Sequence, residues 1–165
     1  MRLLIRGRAV RPPVVSCLRL ADELLTRLFI EVLAMEMIHI MTKHPETIQP
    51  DDMLAEAEQM MEAGGFRRLP VVKGGAVVGM LTERDLRQHR GHLESTKVTA
   101  AMSEPVFSVG SNTTVQEAAR VMLHHKVGGL PVVDQGKLVG MVTTIDMIRA
   151  FLQVVEDHEK TRMSS

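Results

Sequence analysis

Two Thr-x-x-Asp motifs are the residues in this sequence best placed to bind a ligand: Thr82 with Asp85, and Thr143 with Asp146. A carboxylate accepts two hydrogen bonds at once, so one aspartate can hold the vicinal hydroxyls of a ribose. The same spacing is typical of a helix start, where a capping box satisfies free N–H groups and the acid lies near the positive helix end. Both interpretations can hold together, because a capping aspartate can still offer an oxygen to a ligand.

Two adjacent arginines, Arg67 and Arg68, are the best candidates for binding phosphate, because the guanidinium fork matches phosphate oxygens. A second stretch of similar sequence has Gly128 and Gly129 at the corresponding positions. The basic residues just upstream that could partly substitute there are His124, His125 and Lys126. We therefore expect two unequal sites, one better suited to phosphate. The alternative is that the arginines are simply solvated on a surface loop.

Other chemistry has little support in the sequence. His89 and His92 lie in a polar stretch, and no carboxylate or cysteine completes a spaced set of metal ligands with the histidines. No serine or cysteine stands in a nucleophile elbow, and no glycine-rich loop ends in Lys-Ser or Lys-Thr. We expect no catalytic residue, no metal site and no obligatory cofactor.

The composition is that of an ordinary globular protein, with 165 residues, 45% of them hydrophobic and 24% charged. No apolar run approaches the roughly 20 residues that span a bilayer, so we expect no membrane partner. The single cysteine, Cys17, rules out an internal disulfide framework and fits a reducing compartment, which favours the cytoplasm.

The charge distribution argues against nucleic-acid binding. Twenty basic and twenty acidic residues balance overall, but residues 1–21 contain arginines and no acid. The remainder is therefore acidic and would repel a phosphate backbone. Four Phe residues are the only aromatic side chains, too few for a base-stacking platform. Binding through the arginine-rich arm is a third, weaker hypothesis.

An internal repeat organises most of the chain. Leu69-Pro70-Val71-Val72 recurs at an offset of 61 residues as Leu130-Pro131-Val132-Val133, and Gly79-Met80-Leu81-Thr82 recurs at the same offset as Gly140-Met141-Val142-Thr143. Each copy begins with a short extended piece ending at Ile48 or Val109. A helix follows, and we expect it to stop near paired glycines, Gly64-Gly65 in the first copy and Gly128-Gly129 in the second. The apolar face of each helix consists of Leu54, Ala57 and Met61, or of Val115, Ala118 and Met122.

Two strands and a closing helix complete each copy. The strands run from Leu69 to Val72 and from Ala76 to Leu81 in the first copy, and the helix begins after Thr82 or Thr143. The order is β-α-β-β-α. One such unit has too few residues to bury its sheet alone, so we expect the two to pack face to face.

At these residues the sequence resembles a tandem pair of CBS domains, the regulatory modules named after cystathionine β-synthase. The resemblance covers about residues 38–150, and its markers are the Met41-Thr42 and Met102-Ser103 openings, the two Leu-Pro-Val-Val strands and the two Gly-x-x-Thr-x-x-Asp ends. It implies an α+β fold with pseudo-twofold symmetry and two clefts between the repeats. It also implies binding of adenosine derivatives such as AMP, ADP, ATP or S-adenosylmethionine, frequent dimerisation, and regulation of a partner protein.

The resemblance assigns roles to particular residues. It places Asp85 and Asp146 on the ribose, with the neighbouring threonines at the cleft wall. It puts the edges of the two short extended pieces against the adenine, although core packing is the stronger interpretation for Ile48 and Val109. The candidate nucleotide-binding residues are Thr47, Ile48, Arg67, Arg68, Pro70, Thr82, Asp85, Ser108, Val109, Pro131, Thr143, Thr144 and Asp146.

Residues 1–38 lie outside the repeat. From Leu20 to Ile38 the apolar residues form a helical stripe opposite charged ones, which predicts an amphipathic helix. Such a helix either packs on its own module or pairs with a second chain, and we favour the second chain. Residues 1–15, with Pro12-Pro13, are expected to form an extended or partly disordered arm.

We therefore expect the following organisation: an arm and amphipathic helix at 1–38, repeats at 39–90 and 101–150 joined by a connector at 91–100, and the end of the last helix with a tail at 151–165. The first functional hypothesis is a homodimeric, cytoplasmic sensor without catalytic activity. It binds an adenosine nucleotide and regulates another protein that the sequence does not identify. The alternative is a purely structural dimerisation module without ligand.

Overall fold

The computed structural model describes Thr26 and residues 30–163 of the chain. Residues 30–34 are helical, and the elements that follow are α1 (Met37–Ile40), β1 (Thr42–Lys43), α2 (Leu54–Gly64), β2 (Arg68–Lys73), β3 (Ala76–Thr82), α3 (Glu83–Gln88), a 3-10 helix (Val98–Ala100), α4 (Val115–His125), β4 (Gly129–Asp134), β5 (Lys137–Thr143) and α5 (Thr144–Met163). This is the α+β arrangement of two repeats that the sequence predicts. None of the helices in the described part of the chain is long and apolar enough to cross a membrane.

The two predicted hairpins are confirmed, and they have the same register. β2 and β3 are antiparallel with Pro70 opposite Met80, and β4 and β5 are antiparallel with Pro131 opposite Met141. Both turns place two consecutive residues at positive φ, which is the geometry of a tight two-residue hairpin turn. Gly74 and Gly75 fill these positions in the first repeat. Gln135 and Gly136 fill them in the second.

Each hairpin packs against the apolar face of the preceding helix. Within the described residues there are two core clusters, one per repeat. In both, the three predicted helix positions are buried against the buried side of the strands. Leu69 and Leu130, at equivalent strand positions, are both fully buried. The periodicity of the sequence therefore gives the core of each repeat correctly.

The segments that precede the repeats are exchanged between them. The first leading segment, residues 35–43, lies on the second repeat: Met35 accepts a hydrogen bond from Val115 N–H, and β1 pairs with β5. The second leading segment, residues 96–103, makes the equivalent bonds to the first repeat, where Thr96 accepts from Leu54 N–H. Each repeat is thus completed by chain that belongs, in sequence, to the other.

Methionines at the ends of these leading segments fit over glycines of the opposite repeat. A Cβ at Gly140 would overlap the sulfur of Met41, and a Cβ at Gly79 would overlap the sulfur of Met102. The Met41-Thr42 and Met102-Ser103 openings are therefore exchange contacts, which explains why they recur at the offset of the repeat.

The exchange changes two sequence-based expectations. The predicted helix over 20–38 is interrupted at Met35 and Glu36, because their backbone pairs with the loop ahead of α4 instead of continuing the helix. Met37 is fully buried in the core of the second repeat, so this part packs on its own module. The polar connector also contributes to the fold: Val98 is fully buried in the core of the first repeat. Residues 1–25 and 27–29, with the predicted arm and most of the stripe, lie outside the described residues.

Two further local expectations are corrected. The predicted short strands at the start of each repeat are reduced to single parallel bridges, Ile48 with Val71 and Val109 with Val132. The second helix was expected to stop near Gly128-Gly129, but α4 ends at His125. Lys126 takes the left-handed capping conformation there, at φ 55°. Gly65 has that role after α2.

Candidate functional site

Two clefts among the described residues lie where one repeat meets the other. The Asp85 cleft, of about 510 Å³, is formed by the end of β3, α3 and the chain leading into β4. Its lining residues are Arg67, Arg68, Met80, Thr82, Glu83, Arg84, Asp85, Arg87, Gln88, Ser103, Lys126, Val127, Gly128 and Gly129. The Thr143 cleft, of about 250 Å³, is lined by Thr42, His44, Pro45, Glu46, Phe66, Arg67, Arg68, Pro70, Met141 and Thr143.

The two clefts are related by the repeat offset. Met80, Thr82 and Ser103 in the Asp85 cleft correspond to Met141, Thr143 and Thr42 in the Thr143 cleft. Each cleft combines the end of one hairpin with a leading segment and with the chain that enters the other hairpin. Both repeats therefore contribute to each cleft.

Asp85 is held at the start of α3 by the predicted capping arrangement. Its Oδ2 accepts hydrogen bonds from the N–H of Thr82 at 2.8 Å and from the hydroxyl of Thr82 at 2.6 Å. Oδ1 has no hydrogen-bond or ion-pair partner among the residues that the structure describes. Since Asp85 lines the cleft, the capping role leaves one carboxylate oxygen for a ligand.

Asp146 makes the same capping bonds, but its other oxygen is occupied. Oδ2 accepts from the N–H and the hydroxyl of Thr143, at 2.8 and 2.6 Å. Oδ1 lies 3.3 Å from Nη1 of Arg149, which stands three residues later where α3 has Gln88. Asp146 lines a different cavity, with Met35 and α1 residues, rather than the Thr143 cleft. The structure thus brings Asp85 into a cleft with Thr82, and it does not bring Asp146 into the cleft with Thr143.

The two arginines line both clefts but differ in their surroundings. Arg67 is mostly exposed, and its Nε lies 3.7 Å from a carboxylate oxygen of Glu83. Arg68 is half-buried and reaches across to the second repeat. A Cβ at Gly128 would lie 2.5 Å from Nη2 of Arg68, and one at Gly129 would lie 3.2 Å from its Cδ. The side chain of Arg68 therefore occupies the space that the glycines leave.

Charge distinguishes the two clefts. Besides the shared arginines, the Asp85 cleft has Arg84, Arg87 and Lys126, against the carboxylates of Glu83 and Asp85. The Thr143 cleft adds only Glu46 and His44, and its remaining lining is largely apolar. The larger cleft is therefore strongly cationic and suited to an anion, whereas the smaller one has only a small excess of positive charge.

Several sequence-predicted residues lie outside both clefts. Ile48 and Val109 are buried in the cores, and the N–H and C=O of each are already bonded to the neighbouring strand. Pro131 is fully buried in β4. Thr144 donates from its N–H and its hydroxyl to the carbonyl of Gly128. Neither Thr47 nor Ser108 lines a cleft.

Sequence reasoning missed lining residues of two kinds. Arg84 and Arg87 flank Asp85 on α3, so their helical spacing could have indicated them. Ser103 and Thr42 enter the clefts only because the leading segments are exchanged, for which the sequence gives no local signal. Among the described residues, no group of three or more His, Cys, Asp or Glu side chains could hold a metal ion.

Comparison with known proteins agrees with this architecture. The family model of the CBS domain matches residues 37–92 and 98–153. The CBS domain-containing protein YhcV of Bacillus subtilis is 34% identical over 110 residues, which are 65% of this chain and 79% of YhcV. The inosine-5'-monophosphate dehydrogenase of Korarchaeum cryptofilum is 36% identical over 102 residues, 61% of this chain but 21% of the dehydrogenase. That match is therefore limited to a small part of the enzyme.

A solved structure extends the comparison to the fold. The CBS domain pair of protein MJ0100, in complex with 5-methylthioadenosine and S-adenosyl-L-methionine, aligns with a TM-score of 0.68 and 25% identity. The alignment covers 73% of this chain and 98% of that chain. With two matched domains and an equivalent fold, this chain belongs to the CBS domain family and contains a tandem CBS pair.

Proposed function

We propose that this protein is a regulatory sensor that binds an adenosine nucleotide in the Asp85 cleft. The observation that carries the proposal is a combination within one cleft: the unpartnered Oδ1 of Asp85 and a set of cationic side chains that surround it. The adenosine-type ligands of the related MJ0100 pair support the same ligand class.

The lining of the Asp85 cleft matches the parts of a nucleotide. Oδ1 of Asp85 accepts from the ribose hydroxyls, and Lys126 with the arginines binds the phosphates. The apolar side chains of Met80 and Val127 provide a surface for the adenine. The volume of about 510 Å³ lies within the usual range for small-molecule sites, roughly 300–1,000 Å³, whereas the Thr143 cleft lies below it. The cationic lining favours AMP, ADP or ATP over S-adenosylmethionine.

A ligand in this cleft touches both repeats, since α3 belongs to the first and Lys126 to Gly129 belong to the second. Binding therefore stabilises one relative orientation of the repeats over others, and a regulated partner protein detects that orientation. No catalytic group is required for this role. The single Cys17 favours the cytoplasm as its location.

Thermal unfolding with AMP, ADP, ATP, NAD and S-adenosylmethionine tests the proposal. A ligand at a hundred times its dissociation constant adds about 2.7 kcal/mol to the free energy of unfolding. We expect Asp85→Ala to reduce the increase and Asp146→Ala to retain it in full, although both lose the same helix cap. If none of these ligands raises the melting temperature, the sensor proposal is wrong for them.

We further propose that the protein is a homodimer that assembles through α5. Ile145, Ile148 and Leu152 are each more than half exposed, and with Val155 they follow the heptad spacing of a helix–helix contact. The equivalent positions in the first repeat begin with Arg84 and Arg87, so the stripe is specific to the second repeat.

The apolar stripe fits a second copy of the same helix. In an antiparallel pair with Ile148 opposite Leu152 of the partner subunit, Ile145 lies opposite Val155 of the partner subunit, and the twofold axis repeats both contacts. The opposite face of α5 is already covered by residues 30–40, where Oε2 of Glu31 lies 3.6 Å from Nε2 of His158. A twofold contact through α5 would therefore bury apolar surface that the described chain leaves exposed.

Sedimentation of Ile148→Glu tests the dimer, with Leu123→Glu as the matched control, because Leu123 is exposed on α4 away from the stripe. We expect a monomer for the first variant and a dimer for the second. A wild-type monomer, or two dimeric variants, would contradict the proposal. A dimer that no nucleotide stabilises would favour the structural dimerisation module over the sensor.

A further inference from the structure

Arg68 lines both clefts, and the second repeat has no equivalent side chain. It is the first residue of β2 and stands opposite Thr82, which lines the Asp85 cleft. The same residue lines the Thr143 cleft. Its counterpart in the second repeat, Gly129, stands opposite Thr143 and has no side chain to contribute. The two clefts therefore share one guanidinium, although the symmetry of the repeats would allow one for each cleft.

The guanidinium of Arg68 makes no hydrogen bond or ion pair with any other described residue, although the side chain is half-buried. Arg67 differs, because it pairs with Glu83. The Arg68 head group lies against Gly128, where a Cβ would be 2.5 Å from Nη2, so its position depends on the missing side chain of that glycine. A half-buried cation without a protein partner is a strong candidate for binding an anion.

We propose that Arg68 is a phosphate-binding residue shared by the two clefts, and that a phosphorylated ligand in one cleft weakens phosphate binding in the other. The proposal rests on nucleotide binding in the Asp85 cleft. When Arg68 binds a phosphate there, its planar fork is no longer directed toward the Thr143 cleft. A second anion then loses its best cation.

The coupling is reciprocal, because each ligand changes the affinity of the other by the same factor. Couplings of this kind are typically about fivefold or more. The expected behaviour is one tightly bound phosphorylated ligand per chain, with a second ligand bound more weakly. Adenosine lacks phosphate, so its binding should show no such coupling.

Nuclear magnetic resonance can follow the clefts separately during titration with ADP. The methyl group of Met80 reports the Asp85 cleft, and the ring of His44 reports the Thr143 cleft. In Asp85→Ala, which empties the first cleft, we expect the His44 signal to saturate at an ADP concentration about fivefold lower than in the wild type. In Arg68→Leu this dependence disappears and ADP binds more weakly in both clefts, whereas adenosine binding is unchanged.

Arg67→Leu is the matched control, since it removes the adjacent arginine that already pairs with Glu83. We expect it to retain the coupling. The shared-arginine proposal is wrong if the His44 titration is the same in the wild type and in Asp85→Ala, or if Arg67→Leu abolishes the coupling as completely as Arg68→Leu. In either case, saturation of the Met80 signal by ADP would leave the sensor function standing. If ADP shifts neither signal, the sensor function and the shared arginine both fail for that ligand.

Discussion

The two CBS domains agree in their cores and differ at the clefts. The hairpins have identical register, and the same helix and strand positions are buried in both. At the clefts, however, the position of Arg68 in the first repeat is occupied by Gly129 in the second. The residue three positions after the capping aspartate is Gln88 in the first repeat and Arg149 in the second. The packing positions determine the fold, and the few positions free of packing constraints determine what each cleft can bind.

The helix ends show the same division between structure and site. Gly65 and Lys126 occupy equivalent left-handed positions after α2 and α4, at φ 65° and 55°. Glycine adopts this conformation at no steric cost, whereas lysine does not. Lys126 lines the Asp85 cleft. The second repeat therefore places a residue with a strained backbone in the cationic cleft, and strained residues are typical of functional sites.

The strongest test of the equivalence of the cores is to remove the same side chain from each. Leu69 and Leu130 are both fully buried, so we expect Leu69→Ala and Leu130→Ala each to lower the free energy of unfolding by about 3 kcal/mol. Urea denaturation measures both. A loss below about 1 kcal/mol in only one variant would show that the cores are not equivalent.

The sequence predicts these cores well because they depend on local periodicity. Leu54, Ala57 and Met61 fall on one helix face, and the offset of 61 repeats the pattern through Met122. The hairpins follow equally, from two apolar strands around a glycine-containing turn. What periodicity cannot show is that Met37 and Val98 enter the core of the opposite repeat. That exchange depends on tertiary pairing.

The site was predictable to a smaller extent. The Thr82–Asp85 pair and the arginines were found because their chemistry is visible in a short motif. That Asp146 lies outside the Thr143 cleft depends on how α5 packs against the first leading segment, which no motif encodes. In the sequence, Arg68 and the Gly128-Gly129 pair are visible only as a difference between the two repeats. The sequence does not show that the side chain of Arg68 packs against these glycines.

Replacing the strained lysine separates stability from binding. We expect Lys126→Gly to raise the free energy of unfolding by about 0.5–1 kcal/mol, because the left-handed conformation is no longer strained. The same change should weaken ADP binding in the Asp85 cleft, since one cation is lost. Urea denaturation and calorimetric titration measure the two effects. Lys126→Arg keeps the charge and the strain, so it should change neither; a large stability gain in that control would contradict the explanation.

A single substitution can give Asp85 the surroundings of Asp146. In Gln88→Arg the new guanidinium stands three residues after Asp85, as Arg149 does after Asp146. We expect adenosine to bind several-fold more weakly, because Oδ1 of Asp85 becomes occupied. The free energy of unfolding should change by less than about 0.5 kcal/mol, because the new ion pair is exposed. Adenosine is the appropriate probe, since added positive charge would itself favour phosphate. The control Gln88→Met should bind adenosine as the wild type does.

The smallest expected difference between the repeats is in their response to acid. Glu117 caps α4 by accepting from the N–H and the hydroxyl of Thr114, each at 2.9 Å. These bonds, the backbone one first, lower the pKa of Glu117 below its ordinary value of 4.5. The equivalent position to Thr114 in the first repeat is Met53, which has no hydroxyl and makes no side-chain cap. Glu56, the counterpart of Glu117, therefore lacks this bond.

A carboxylate whose folded-state pKa is lowered stabilises the fold above its unfolded-state pKa, and that contribution is lost as the pH falls through the folded-state value. We therefore expect Glu117→Gln to be less stable than the wild type at pH 7. The difference should shrink as the pH falls below 4.5, where the wild type loses the same interaction. Urea denaturation across this range measures it, with Glu56→Gln as the control. A constant difference at every pH would mean that Glu117 acts through its side-chain shape, and its charge would then have no part in capping α4.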